Sequence, residues 1–352
     1  MKAITITHQG AAPQVSTDIA IPRPGEGQIL VKTLYAAINP VDAFMQTAGL
    51  LVHSWPFTPG CDSCGVIEAV GPHAISALGT EYKVGEHVFG CTRVGVSGHA
   101  TFAEHHLFDA ALCFPVPKSL SFPEAASSGA AILTAALGVY DALGVAVPDP
   151  SNLPARGSTD VWALVFGGAG SVGQFAVQLL VVAGFKVVTT SSEKSFGLLK
   201  ALDAHTTLDY KTPEPELVAS IQKITNGNLA YSFDAVSVNN GLVTAIDTAL
   251  GSASNVTRRY TTTNDWEPLP ALPHAKAKAI ELGPIGQPEA VELNSFLKSV
   301  IPVLYKLLEQ GTIKPSAYSV EGEGIEGIVD AWEVQKSGVK GSTKVVVKII
   351  DE

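Results

Sequence analysis

The chain has 352 residues, enough for two domains with substantial cores, and 46% of them are hydrophobic. It has no uncharged apolar run near the roughly 20 residues of a membrane span and no apolar secretory segment at its start. The net charge is −10 without a lysine or arginine cluster, and there are four cysteines, which argues against nucleic-acid binding and against a disulfide scaffold. We therefore expect a soluble, cytoplasmic protein.

Short β-like segments separated by glycine and proline make up residues 1–129. They are Ala3–Thr7, Gln28–Ala36, Gly65–Val70, His87–Cys91 and Ala103–Leu107. This spacing predicts a compact, mostly β domain with long connections rather than repeated strand–helix units.

Three motifs in this region resemble the medium-chain dehydrogenases/reductases. They are VKTLYAAINPVD at Val31–Asp42, PGCDSCGVIEAVG at Pro59–Gly71 and VGEHVFG at Val84–Gly90. The NPxD and PGxDxxGxxxxVG forms are similar to the zinc-free branch of quinone oxidoreductases and enoyl reductases, and over nearly its whole length the chain most resembles fungal trans-acting enoyl reductases of polyketide pathways. The resemblance implies an α/β fold: a Rossmann doubly wound parallel sheet (residues 130–284) plus a discontinuous, mostly β GroES-like catalytic domain (residues 1–129 and 285–352).

The positions that hold zinc in the metal-dependent members of this family have other residues here. Asn39-Pro40 stands where those members have a cysteine, and Cys61-Asp62 where they have a His-Glu pair. A zinc site needs about four ligands, and Cys61-x-x-Cys64 is followed by no second CxxC, so we expect no metal. Without a Lewis acid, reduction of a conjugated C=C bond is the more natural chemistry. The histidines interpreted as surface or strand residues rather than ligands are His99, His105 and His106.

The candidate catalytic residues are Thr134, Asn39 and Phe44. Thr134 lies in an apolar helix predicted over Ala131–Leu143, and the resemblance implies that it hydrogen-bonds the nicotinamide carboxamide. The alternative is a helical threonine bonded to its own backbone. At the position of Phe44 several relatives have a tyrosine or lysine that binds substrate, so we interpret Phe44 as lining an apolar pocket. That pocket would also include Met45, Trp55 and Phe57.

After a surface loop over Val145–Asp160, the segment Val161–Ser192 predicts a strand–turn–helix–strand unit. The apolar run Val161–Phe166 predicts a buried strand, and a helix over Gln174–Ala183 precedes a strand at Phe185–Thr190. The glycines between them have GxGxxG spacing, which lets the backbone approach a pyrophosphate bound at the helix N-terminus. The predicted cofactor-binding turn is Gly168, Ala169, Gly170, Ser171, Val172 and Gly173.

The end of the second strand predicts NADPH rather than NADH as the cofactor. An NAD-specific fold has an acid about 20 residues after the glycine turn, where this chain has Ser191 and Ser192. Hydroxyl groups can donate to the 2′-phosphate and Lys194 can neutralise it. The resemblance implies that Tyr210 lies by the adenosine and adds a donor. Glu193 follows the expected acid position and is the alternative residue for reading the ribose.

Helices and strands continue to alternate up to residue 284, which predicts the doubly wound parallel sheet. The predicted helices are Phe196–Leu202, Glu214–Thr225 and Asn239–Leu250, and the strands are Thr206–Leu208, Ala230–Val236, Ala253–Thr261 and Ala277–Leu282. Ser237 and Val238 follow the fourth strand, at the edge where such sheets bind ligands. Leu282 and Gly283 resemble a strand end near the nicotinamide.

The last stretch predicts helices over Glu292–Leu308, ending at Gly311, and over Ile325–Lys336. Ile313–Tyr318 and Lys344–Ile350 are predicted strands, the second of them at the edge of its sheet. In the family this tail returns to the N-terminal domain, and the cleft between the domains would hold nicotinamide and substrate.

The leading interpretation is an NADPH-dependent reductase of an activated C=C bond. A quinone oxidoreductase with the same cofactor site is one alternative, and a non-catalytic NADPH-binding protein of the same fold is another. The expected partner is a small-molecule enone, quinone or enoyl thioester, with a polyketide synthase carrier domain as a further candidate. We expect neither nucleic acid nor membrane as a partner, and a monomer or homodimer.

Overall fold

The structure is a computed structural model that describes residues 1–252, 257–338 and 341–352. Within them the chain divides into two compact units. The first unit comprises Met1–Leu133, Leu282–Gly311 and Pro315–Glu352, and the second comprises Thr134–Glu281 and Thr312–Lys314. No helix of the described residues is long and apolar enough to cross a membrane.

Strands and helices of the described residues follow one another along both units. The strands are β1 (Ala3–Thr5), β2 (Gln14–Ser16), β3 (Gln28–Ala37), β4 (Asp62–Val70), β5 (His87–Cys91), β6 (His105–Asp109), β7 (Phe114–Pro115), β8 (Trp162–Phe166), β9 (Lys186–Ser191), β10 (Thr206–Asp209), β11 (Leu229–Asp234), β12 (Arg258–Thr262), β13 (Ala275–Ala279), β14 (Tyr318–Glu323) and β15 (Lys344–Lys348). The α-helices are α1 (Pro40–Ala48), α2 (Phe122–Ala126), α3 (Gly129–Ala136), α4 (Ser171–Val182), α5 (Phe196–Ala201), α6 (Glu214–Thr225), α7 (Asn240–Leu250), α8 (Val291–Glu309) and α9 (Gly327–Lys336). Short 3₁₀ turns at Ala110–Leu112 and Glu193–Ser195 and a π-helix at Leu137–Ala142 complete them.

The second unit is built on a six-stranded parallel sheet in the order β10-β9-β8-β11-β12-β13. The central strand β8 is buried on both faces after its first residue, as its unbroken apolar sequence predicts. Helices α6 and α7 contribute Ile221 and Ile246 to a core that also contains Leu164 and Phe166 of β8. The strand order reverses between β8 and β11, which is the ligand-binding point of a doubly wound sheet. The predicted Rossmann fold is confirmed.

The first unit contains a seven-stranded sheet in the order β14-β15-β3-β4-β5-β7, with β6 also paired to β3. The long strand β3 pairs antiparallel with β4, β6 and β15, so the last strand of the chain joins strands from its beginning. Buried side chains on one side of this sheet, among them Ile29, Val31, Ile67 and Phe108, form its core.

Two strand predictions in the tail are wrong. Residues 313–317 form no strand. The Lys314 N–H donates to Gln178 Oε1 at 2.7 Å, and the Lys314 carbonyl accepts Gln178 Nε2 at 3.1 Å. Pro315 has no N–H to donate. The final strand is not at an edge, because β14 pairs with β15 on the side opposite β3. The predicted strand Ala253–Thr261 starts only at Arg258, and its residues 253–256 lie outside the described part of the chain.

The interpretation of His99 as a surface or strand residue is also wrong. His99 is buried outside any strand, and its Nε2 lies 3.3 Å from Nε2 of Gln28. Burial lowers the pKa of His99 to about 4, so its ring is neutral at neutral pH. His105 and His106 do lie on β6, as predicted.

Candidate active site

The glycine-rich turn lies between β8 and α4 in the second unit. Helix α4 begins at Ser171, earlier than the predicted Gln174, with Gly170 as its N-cap. The Gly170 N–H donates to the Gly167 carbonyl at 3.0 Å and closes the turn. Gly167 adopts φ +70°, a left-handed conformation that glycine reaches without strain.

This turn has no room for side chains at two of its predicted glycines. A Cβ on Gly168 would overlap the Thr189 hydroxyl, and a Cβ on Gly173 would overlap the Gly167 carbonyl oxygen and lie 2.7 Å from Gly168 Cα. The first N–H groups of a helix have no acceptor inside it and carry the positive end of its dipole. A bare backbone turn leading into such a helix start fits the pyrophosphate of a dinucleotide.

The residues predicted to select the cofactor lie at the neighbouring ends of β9 and β10. Tyr210 donates its N–H to the Ser191 carbonyl at 3.2 Å, and its side chain is 58% exposed. The Ser191 hydroxyl is buried and donates to the Ser192 carbonyl at 3.1 Å. Ser192 is half-buried, and Glu193 and Lys194 after it are exposed. The strand end therefore presents a hydroxyl, a phenol and both signs of charge.

The loop after β11 is organised by Asp234, which the sequence did not single out. Its carboxylate accepts the N–H groups of Val236, Ser237 and Asn239 at 3.0, 3.2 and 2.8 Å. These bonds hold Ser237 at φ +63° and leave Val238 79% exposed. An aspartate that ends a strand and precedes serine and asparagine is the signal that would have identified this turn.

Thr134 is the first residue of the second unit and lies half-buried on α3. The helix continues as the π-helix Leu137–Ala142, in which the Leu143 N–H donates to the Gly138 carbonyl at 2.9 Å. The predicted apolar helix is confirmed over this length. Wide turns of this kind are frequent at functional sites.

Asn39 precedes the first residue of α1 in the first unit, and Phe44 lies in the middle of this helix. Asn39 is the N-cap, and its N–H donates to Asp42 Oδ2 at 2.7 Å. Phe44 is 47% exposed, whereas Met45 beside it is buried. Helix α1 therefore presents Phe44 outward and keeps Met45 in the core. Trp55 packs edge-to-face on Phe57, with ring centroids 5.0 Å apart.

Leu282 and Gly283 belong to the first unit as well. The Leu282 carbonyl accepts the Ile285 N–H at 2.9 Å, which closes a turn. A Cβ on Gly283 would lie 3.0 Å from the Leu51 side chain, so the backbone packs closely there.

A buried polar cluster of Asn39, Asp42, Asp62 and Lys344 lies where β3, β4 and β15 meet. Asp62 Oδ1 accepts the Ala130 N–H at 2.6 Å. Its Oδ2 accepts Asn39 Nδ2 at 2.9 Å and Lys344 Nζ at 3.1 Å. Lys344 donates also to Asn39 Oδ1. Sequence reasoning did not single out Lys344; the one signal for it is a lysine at the start of an apolar strand.

Asp42 completes this cluster as a buried acceptor of backbone N–H groups. Oδ1 accepts the Gly60 N–H at 3.1 Å, beside the bond from Asn39 to Oδ2. Burial raises the pKa of Asp42 to about 7, although both N–H groups and the Lys344 ammonium ion favour the charged form.

Comparison with known proteins gives matches over both units. The profile "Alcohol dehydrogenase GroES-like domain" matches residues 25–118, and "Zinc-binding dehydrogenase" matches residues 171–251. A trans-enoyl reductase of Pyrenochaetopsis sp. is 30% identical over 96% of this chain and 93% of its own. The enoyl reductase component of lovastatin nonaketide synthase from Aspergillus terreus is 28% identical over 92% and 89%.

Solved structures share the fold. A mycobacterial protein solved in complex with NADPH has a TM-score of 0.73 and 21% identity, with 99% of each chain covered. At this identity the likeness concerns the fold alone.

The second profile implies zinc, but the described residues do not fit it. Cys61, Asp62 and Cys91 have possible ligand atoms within 4.8 Å of one another. The neighbouring Cys91 thiol and burial raise the pKa of the Cys61 thiol well above its usual value, which opposes the thiolate that zinc needs. Both oxygens of Asp62 already accept hydrogen bonds, one of them from the Lys344 ammonium ion. Zinc would have to displace a buried cation.

Proposed function

Because the chain belongs to the medium-chain dehydrogenase/reductase family, beside the trans-enoyl reductases, we propose that it reduces an activated C=C bond with NADPH. The acceptor is an α,β-unsaturated carbonyl compound or an enoyl thioester. The observation that carries this proposal is a 30% identity to a trans-enoyl reductase across 96% of the chain. In line with the donor set around Asp62, the proposed reaction needs no zinc.

The glycine turn supports the nucleotide part of the proposal. Gly168, Gly170 and Gly173 would hold the pyrophosphate at the start of α4, and Ser237 with Val238 would border the cofactor at the switch point of the sheet. NADPH, when bound, supplies a hydride. The mycobacterial relative in fold was solved with NADPH, which agrees with this cofactor.

Selection of NADPH over NADH would fall to the ends of β9 and β10. Ser192 and Tyr210 can donate hydrogen bonds to a 2′-phosphate, and the exposed Lys194 can pair with its charge. Lys211 adds a cation, with Nζ 6.0 Å from the centroid of the Tyr210 ring. Glu193 directly follows Ser192 after the end of β9, and its charge opposes the phosphate.

On the substrate side, we propose that Phe44 contacts the apolar part of the acceptor and that Thr134 orients the nicotinamide carboxamide. Leu282 and Gly283 would border the nicotinamide. Asn39 is predicted as a catalytic residue, but its amide bonds Asp62 and Lys344, which favours a positioning role at the start of α1. Reduction leaves negative charge on the carbonyl oxygen, and donors must stabilise it before protonation. We expect water to deliver the proton.

Consumption of NADPH with an enone, an enoyl thioester, a quinone and no acceptor tests the reaction. Turnover with the first two supports the proposal. Turnover with the quinone alone assigns quinone reduction instead, and no turnover with any acceptor points to a binding protein. Carrier-bound and free thioesters, compared in the same assay, show whether a polyketide synthase carrier domain presents the acyl group.

We predict that Ser192→Asp shifts the preference from NADPH toward NADH. A carboxylate at the strand end accepts the ribose 2′-OH and repels a 2′-phosphate. The measurement is the ratio of kcat/KM for the two cofactors, which should change by at least about tenfold, or ~1.4 kcal/mol. Lys194→Ala should weaken NADPH alone, and Lys200→Ala in the last turn of α5 is the matched control. If the wild-type chain uses both cofactors equally, Glu193 rather than Ser192 is the residue that binds the ribose.

A further inference from the structure

The buried cation beside Asp62 has no part in the proposed reduction. Lys344 opens β15, and the antiparallel pairing of β15 with β3 brings it to Asn39. Its ammonium group donates to Asn39 Oδ1 and to Asp62 Oδ2, and its side chain is 6% exposed. An ammonium ion withdrawn from water to this extent is retained only where its acceptors compensate for the lost hydration.

The ammonium ion also determines how the Asn39 amide is oriented. An ammonium group can only donate, so the Asn39 atom that faces it is the oxygen. The amide nitrogen then points to Asp62 Oδ2 at 2.9 Å and to Cys61 Sγ at 3.4 Å. Both the oxygen and the nitrogen of the Asn39 amide therefore make hydrogen bonds within the buried cluster.

A possible metal-binding group adjoins this cation. Cys61, Cys91 and Asp62 offer two sulfur atoms and a carboxylate oxygen within 4.8 Å of one another. Such ligands suit Zn²⁺ and Co²⁺. A divalent ion bound to Asp62 would stand beside the ammonium ion of Lys344, and repulsion between two positive charges is strong where water is excluded. Metal and lysine therefore compete for one carboxylate.

We propose that the Lys344 ammonium ion supplies the positive charge beside Cys61, Asp62 and Cys91 and thereby prevents metal ions from binding to them. According to the resemblance noted above, zinc-dependent relatives bind their metal with residues at the positions of Asn39 and Cys61-Asp62. Here the positive charge comes instead from a side chain of the last strand. This inference goes beyond the proposed reduction and depends on neither its acceptor nor its cofactor.

Titration with Co²⁺ tests the proposal, because thiolate ligands give cobalt a charge-transfer absorption that other ligands lack. Lys344→Gln removes the charge and keeps a donor, whereas Lys344→Arg keeps the charge. Lys348→Gln, on the same strand but with its head group among surface carboxylates, is the matched control. With a non-thiol reductant present, Lys344→Gln should bind about one Co²⁺ per chain with the thiolate band. The wild-type chain, Lys344→Arg and Lys348→Gln should show no band.

A second substitution, at Cys61, shows where the cobalt binds. In the Lys344→Gln background, Cys61→Ser should abolish the band. Cobalt binding by the wild-type chain, with a band that Cys61→Ser removes, would overturn the proposal. A folded Lys344→Gln protein that gives no band would overturn it as well.

Loss of the cation leaves Asp62 buried without a counter-charge, so the folding of Lys344→Gln is measured too. The variant is refolded with and without Co²⁺. Refolding that requires cobalt, with a melting temperature that rises with cobalt concentration, supports the proposal because the metal then replaces the lysine. A variant that refolds in neither condition contradicts it, since no metal ion then takes over the role of the ammonium group.

Discussion

At the scale of single residues, Thr134 has a catalytic or a structural role according to what its hydroxyl group hydrogen-bonds. Thr134 is half-buried and opens the second unit, directly before the helix widens into its π-helical turns. A threonine inside a helix can bond back to a carbonyl of the preceding turn, and then its hydroxyl has no functional role. A hydroxyl that orients a nicotinamide carboxamide would instead contribute to turnover.

We predict that Thr134→Val lowers kcat/KM while leaving the fold intact. The loss of transition-state stabilisation should be about 1–3 kcal/mol. Valine preserves the volume and leaves the carboxamide without its partner, and an unpaired buried polar group has about that cost. The matched control is Thr134→Ser, which keeps the hydroxyl and should retain most of the activity. Unchanged kinetics and cofactor affinity in Thr134→Val would assign the residue to the helix alone.

At the scale of elements, the turn between β8 and α4 depends on the absence of side chains. A Cβ on Gly173, on the first turn of α4, would overlap the Gly167 carbonyl oxygen and lie 2.7 Å from Gly168 Cα, so the turn leaves no room for a side chain there. The turn therefore tolerates substitution at these positions only if α4 moves away from it.

We predict that Gly173→Ala weakens NADPH binding strongly and lowers the melting temperature. The new methyl group would overlap the Gly167 carbonyl oxygen and displace the helix start that would bind the pyrophosphate. Gly197→Ala is the matched control: Gly197 lies within α5 with no atom near its Cβ position, and alanine favours a helix by about 1 kcal/mol. Dye-monitored melting with and without NADPH measures both effects. Equal responses of the two variants would contradict the close-packing argument.

Elements encoded by local sequence are those the sequence predicts best. The strand His87–Cys91 and the helix Glu214–Thr225 have the predicted bounds, because periodicity and turn residues specify them. The buried polar cluster could not be predicted in this way: Lys344 and Asn39 are 305 positions apart, and only the pairing of β15 with β3 joins them. The strand predicted from residue 313 was wrong for a similar reason, because the backbone N–H of Lys314 is hydrogen-bonded by the side chain of Gln178, which is distant in sequence.

At the scale of the whole molecule, a buried histidine makes the stability of the first unit depend on pH. In the first unit His106 bridges two strands, with Nδ1 2.9 Å from Thr33 Oγ1 and Nε2 2.9 Å from Ser63 Oγ. A neutral ring has one donor and one acceptor nitrogen, which two hydroxyl groups can satisfy. A charged ring would have two donors and no compensating carboxylate among these partners. Burial consequently lowers the pKa of His106 to about 3.

We predict that this histidine makes the first unit sensitive to acid. Between about pH 6.5 and pH 3 the unfolded chain binds a proton that the folded ring refuses, so the free energy of unfolding falls as the pH falls, by up to about 1.4 kcal/mol per pH unit. His106→Gln keeps a donor and an acceptor but cannot titrate, and its stability should decline less steeply over this range. His8→Gln, at an exposed site, is the control and should follow the wild-type slope. Urea unfolding at a series of pH values gives these slopes. Because the comparison concerns the slope, a lower stability of His106→Gln at neutral pH does not affect it, whereas parallel curves for His106→Gln and wild type would show that the ring accepts its proton without unfolding.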